Sequence, residues 1–100
     1  MMKLRINPRV ADDLKEIQDH IAEDNEEAAE KTVYEIYKSL ENIQQFPNIG
    51  ASLSKRVSFK TDYKYLMHEN YIVLYRIRQD FVEIYRVIDR YQDITGILFQ

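Results

Sequence analysis

The stretch Asp62–Asp93, DYKYLMHENYIVLYRIRQDFVEIYRVIDRYQD, decides the fold. Two runs rich in β-branched and aromatic residues, Tyr71–Arg78 and Phe81–Ile88, flank the polar pair Gln79-Asp80. Such a pattern reads as a β-hairpin closed by a short loop. A further strand is expected at about Tyr63–Met67, joined to the hairpin through a turn at His68-Glu69-Asn70. If Gln79-Asp80 is the whole loop, Ile77 pairs with Val82, Tyr75 with Ile84, Val73 with Arg86 and Tyr71 with Ile88. Those residues share the core side. Ile72, Leu74, Arg76, Glu83, Tyr85 and Val87 share the other, with Arg76 opposite Glu83. A slip of one residue would reverse every facing. Arginine recurs at Arg76, Arg78, Arg86 and Arg90. Sheet positions given to arginine and tyrosine make a surface that binds a target or is covered by a partner.

Upstream, the period changes. Lys3–Asn7 alternates as a short strand, and Asn7-Pro8 opens a helix with Asn as cap and Pro in the first turn. Val10, Leu14, Ile17 and Ile21 then follow at steps of four, three and four, which is one helix face. Asp24-Asn25-Glu26-Glu27 interrupts it, and Asp24 with Glu27 has capping-box spacing for a second helix. Ala29, Val33, Ile36, Leu40 and Ile43 repeat the rhythm to about Gln45, where Pro47-Asn48-Ile49-Gly50 starts a loop. Tyr34 and Tyr37 are expected as core or edge contacts, and His20 as packing beside the first stripe. Two amphipathic helices on a tight link pair as an antiparallel hairpin, and Ala28-Ala29 allows close approach. The order β-α-α-β-β-β defines an α+β class, a helical hairpin packed on a mostly antiparallel four-stranded sheet.

Composition narrows the function classes. The 100 residues are expected to form one domain, residues 1–100, able to bury a core without staples. There is no cysteine, hence no disulfide framework and no thiolate metal site. His68, expected in an exposed turn, and His20 lack supporting ligands, so no metal and no cofactor is expected. MMKLRINPRV is too polar for a signal peptide, and no apolar run is long enough to span a bilayer. A cytoplasmic protein without membrane contact is the expectation. The net charge of −3 hides an asymmetry. Residues 1–50 carry 6 Lys and Arg against 11 Asp and Glu; residues 51–100 carry 8 against 6. Acid and arginine therefore lie in different halves, which suits two faces with different partners.

The element order, with Ala11-x-Asp13-Leu14, Ile17, Ile21, Ala28-Ala29, Ile36, Leu40, Phe46-Pro47-x-x-Gly50, Tyr71, Tyr75-Arg76-Ile77 and Val82-Glu83-Ile84-x-Arg86-Val87, resembles the RelE/ParE superfamily over nearly the whole chain. Each motif alone is a packing pattern; their joint order is specific. The resemblance implies a toxin of a bacterial type II toxin–antitoxin pair, the plasmid-stabilisation kind. It implies a cognate antitoxin wrapped over helices and sheet, with operator DNA contacted only through the antitoxin complex. RelE-like members cut mRNA on the ribosome; ParE-like members poison DNA gyrase.

Cleaving RNA needs a base for the 2′-hydroxyl, cations for the phosphorane and an acid for the leaving oxygen. For the mRNA-cleaving alternative the resemblance nominates Arg86, Arg90 and Tyr91 as catalytic, with Lys55, Arg56, Lys60 and Lys64 on phosphate. Departures from the RelE pattern are several. Met67 stands at the strand arginine, Asp89 where many relatives have histidine, and Tyr91-Gln92 where a basic pair often follows. The chain is acidic overall, whereas phosphate-rich targets favour cationic proteins. The same shortage of charge weighs against the eight tyrosines acting as a nucleic-acid stacking platform. The reading is therefore a ParE-like growth inhibitor acting on gyrase, with a RelE-like endoribonuclease as alternative. An inactivated toxin kept as a co-repressor or protein-binding module remains the third possibility. Structural roles compete at single positions: pairing with Glu83 for Arg76, and anchoring of the chain end through Asp93 for Arg86. Ile97, Leu98 and Phe99 form an apolar tail, read either as an antitoxin contact or as a short helix docked on its own domain.

Overall fold

The computed structural model describes residues 2–99. The chain runs β1 (Lys3–Ile6), α1 (Arg9–Ala22), α2 (Glu26–Gln45), β2 (Ala51–Ser52), β3 (Lys64–His68), β4 (Tyr71–Ile77), β5 (Phe81–Asp89) and α3 (Ile94–Leu98). Single 3-10 turns occupy Pro47–Ile49 and Leu53–Lys55. The strands form one sheet in the order β1-β5-β4-β3-β2. Only β1–β5 is parallel; the other pairings are antiparallel. The sheet thus has five strands rather than the expected four. The extra one is Ala51–Ser52, two residues paired with Tyr65 and Lys64, too short to show any period.

Local chemistry explains the helices. Asn7 Oδ1 accepts from Arg9 N–H at 2.9 Å, so Asn7 caps the entry to α1 as expected, although regular helix begins at Arg9. The second cap differs from expectation. Asn25, not Asp24, precedes α2 in extended conformation, and its Oδ1 accepts from Ala28 N–H at 3.0 Å. Asn25 lies one residue closer to the first turn and satisfies its unpaired donors directly.

The helical pair covers one face of the sheet. Val10, Leu14, Ile17, Ile36, Leu40 and Ile43 pack there on Val73, Tyr75, Val82, Ile84 and Val87, with Ile21 at the margin. Val33 is only half-buried, and Thr32 beside it takes the buried position. Tyr34 and Tyr37 point outward, at 61% and 49% exposure, contrary to their expected packing. On the opposite face Leu53, Ile72, Leu74, Ile88 and Ile97 make a second cluster. The sheet is therefore buried on both sides at its centre. No helix among the described residues is long and apolar enough to cross a membrane.

A β-bulge corrects the hairpin register. Ile77–Val82, Arg76–Glu83 and Tyr75–Ile84 pair as expected, but beyond the Leu74/Tyr75 step Leu74 meets Arg86, Val73 meets Val87, Ile72 meets Ile88 and Tyr71 meets Asp89. Tyr85 is the extra residue. The expected partners Val73–Arg86 and Tyr71–Ile88 are consequently each displaced by one. Val87 joins the helix-covered core and Ile88 the opposite cluster, the reverse of the expected facings. A bulge adds one residue to one strand and re-aims the side chains after it.

Candidate functional site

The bulge sets a tightly held buried polar pair. Arg86, 8% exposed, turns toward α1 and meets Asp13, 6% exposed. Its Nε donates to Asp13 Oδ2 at 2.9 Å and its Nη2 to Oδ1 at 2.8 Å. Val87 N–H donates to the same Oδ2 at 2.9 Å. Three donors on one carboxylate satisfy a pair that would otherwise be costly to bury. The Asp13 hydrogen bonds raise the Arg86 guanidinium above its ordinary value, against the opposing effect of burial. A cleft of about 200 Å³ opens beside the pair, lined by Glu16, His20, Tyr71, Asp89 and Gln92 as well as by Asp13 and Arg86.

The face away from α1 and α2 carries arginine laid on tyrosine. The Arg76 guanidinium lies 4.5 Å from the Tyr63 ring centre, and Tyr63 packs on Tyr85 at 5.3 Å. Arg76 Nε donates to Glu83 Oε1 at 3.1 Å, the cross-strand pair the sequence suggested. Asp62 adds a carboxylate between Arg76 (3.7 Å) and Arg78 (3.4 Å). Towards the β3–β4 turn, Arg56 lies 5.2 Å from the Tyr65 ring centre and reaches the Met67 sulfur at 3.7 Å.

The expected site residues fall into separate groups. Lys55, Arg56 and Lys60 are exposed on the segment between β2 and β3. Lys60 lines a shallow hollow with Phe59, Tyr63, Arg76, Leu98 and Phe99. Lys64 is half-buried, and strand alternation places it with Leu66 and His68 on the face opposite Tyr65 and Met67. Arg90 and Tyr91 are exposed after β5, Arg90 held by its backbone N–H on Asn70 O at 2.8 Å and its guanidinium 5.5 Å from the Tyr91 ring centre. Arg86 is enclosed by Asp13 rather than by Asp93. The tail docks on its own sheet: Ile97 is 7% exposed within the second cluster, Leu98 is half-buried, and Phe99, 70% exposed, rests on Phe59 at 5.3 Å.

Chemically, the face away from α1 and α2 offers cations but weak proton acceptors. Glu83 is occupied by Arg76, and burial raises the Tyr63 phenol above its usual value, so it holds its proton at neutral pH. Both histidines lie elsewhere. His20 lines the cleft beside α1, and His68 is half-buried against Glu35 of α2 rather than in an exposed turn. The sequence reading missed Asp13, Asp62 and Glu35 as partners. Only Asp13 carried a signal, because it falls on the buried stripe of α1 between Val10 and Leu14.

Residues 4–94 match the family described as ParE toxin of type II toxin-antitoxin system, parDE. Among solved structures, the chain is similar to one from the chromosomal ParDE toxin–antitoxin system of P. aeruginosa. The two share 28% identity with a TM-score of 0.73, over 92% of this chain and 98% of that one. No curated protein matches.

Proposed function

Because this chain belongs to the ParE toxin family of type II toxin–antitoxin systems, we propose that it arrests growth by disabling DNA gyrase and is held inactive by a cognate antitoxin. The observation that favours gyrase over mRNA is the Arg86–Asp13 pair. In the nuclease reading Arg86 must meet developing negative charge on phosphate. Here its guanidinium is largely buried and held through Nε and Nη2 by a carboxylate of its own chain. Met67 puts a neutral thioether where the RelE-like pattern has a cation, and the histidines are off the face that carries Arg76 and Tyr63. The toxin works in the cytoplasm, and operator DNA is met only in the antitoxin complex. Arg90, Tyr91, Lys55 and Arg56, all exposed, are the candidate target contacts.

Induced expression without antitoxin tests the proposal. It should stop growth and produce gyrase-linked DNA breaks, while mRNA on ribosomes stays intact. Codon-dependent cleavage by purified wild type, abolished by Arg90→Ala, would move the chain to the nuclease branch. Growth unaffected at full expression would favour the inactivated co-repressor.

A further inference from the structure

The toxin reading gives no role to His68. Its side chain closes β3 on the side facing α2, with Nε2 shut off from solvent and making no hydrogen bond of acceptable direction. Yet Glu35 Oε2 lies only 2.9 Å from that nitrogen. The next residue, Glu69, sits at the β3–β4 turn in left-handed backbone, φ 53°. Donor atoms of Glu35, His68 and Glu69 all lie within 4.8 Å of one another. Together they join α2 to the β3–β4 turn.

We propose that Glu35, His68 and Glu69 bind a divalent transition-metal ion of the zinc class. One imidazole nitrogen and two carboxylate oxygens form a donor set such ions accept, with water completing the shell. At metal–ligand distances of about 2.1 Å, two donors 2.9 Å apart subtend roughly a right angle at the ion. Small shifts therefore let His68 and Glu35 share one ion. Lys31 lies 3.9 Å from the other Glu35 oxygen, Oε1, and leaves Oε2 facing the histidine. Glu69 is exposed on its turn and can swing inward to close the triad. A simple imidazolium–carboxylate pair explains the site less well. It would direct Nε2–H along the short contact, and that direction is absent. Bound metal would clamp α2 to the sheet.

Metal-free full-length protein titrated with zinc chloride in a calorimeter tests this. One zinc should bind per chain, with cobalt giving visible absorption at the same site. Thermal unfolding should rise by roughly 10 °C with zinc at a hundredfold excess over Kd. His68→Ala should abolish binding. Glu35→Gln and the exposed Glu69→Gln should each weaken it at least about tenfold, and His20→Ala should leave it unchanged. Glu69→Gln keeps the test decisive if His68→Ala fails to fold. Absence of zinc binding by wild type at about 100 μM, or full affinity in Glu69→Gln and Glu35→Gln, overturns the proposal.

Discussion

Arg86 and Asp13, 73 residues apart in sequence, face each other through two charge-assisted hydrogen bonds of 2.8 and 2.9 Å. The pair pins the end of β5 to the first turns of α1. Removing one partner strands the other as a buried charge, which costs about 3–5 kcal/mol. Arg86→Met and Asp13→Asn should each lower the urea midpoint sharply. Their double variant should lose less than the two singles combined, because the second change removes the charge the first left unpaired. A stable Arg86→Met that nevertheless loses toxicity would instead mark Arg86 as a target contact.

Leu14 and Ile36 are 4% and 0% exposed, on α1 and α2 against the same sheet face. Truncating either to alanine should cost about 2–5 kcal/mol, the range for emptying a packed site. Denaturant titration followed by circular dichroism reads this directly.

Tyr75 ties the loop after α2 to the sheet. Its buried hydroxyl donates to Pro47 O at 2.7 Å and accepts from Gly50 N–H at 2.9 Å. Gly50 has no room for a side chain, since an added Cβ would stand 2.6 Å from both Tyr65 O and the Tyr75 hydroxyl. Tyr75→Phe should cost about 1–3 kcal/mol by leaving both partners unsatisfied, and Gly50→Ala should also destabilise. Burial raises the Tyr75 phenol, opposed by the Gly50 N–H, and burial raises Tyr63 and Tyr71 as well. A raised folded value favours the neutral phenol. Its stabilisation is complete below the unfolded value of about 10 and is lost as pH climbs through the folded value. Stability should therefore fall above about pH 10, less steeply in Tyr75→Phe. Identical alkaline slopes would show that Tyr75 does not titrate on unfolding.

These residues show which parts of the fold were legible in the chain. Val10, Leu14 and Ile17 announced α1 by spacing alone, and Arg76–Glu83 followed from the loop length. The bulge at Tyr85 left no trace in the strand pattern, because Phe81–Asp89 reads as unbroken strand and a one-residue insertion does not alter composition. Its only hint was an arginine at a core position, which demands a buried carboxylate. Asp13 on the apolar stripe was that carboxylate, but the pairing depends on how α1 sits over β5. Long-range contacts between elements, Glu35 with His68 among them, exist only after packing. Ala51–Ser52 is too short for any periodicity. The site residues were legible as residue types, and their grouping was not.

The tail gives the last prediction. Ile97 is buried in the cluster with Leu53, Ile72, Leu74 and Ile88, so removing it opens the second core. Deleting the tail from Ile97 would confound folding with binding, and Gln100 lies outside the described residues. Phe99 separates the two effects. It is 70% exposed and touches Phe59 only along one side, so its apolar surface remains available to a partner. Ile97→Ala should destabilise by about 2–5 kcal/mol, the core scale. Phe99→Ser should leave the unfolding midpoint within about 0.5 kcal/mol of wild type, the surface scale, while weakening antitoxin binding in calorimetry. An unchanged antitoxin affinity in Phe99→Ser would place the tail outside the interface and leave α3 as a cover for the sheet alone.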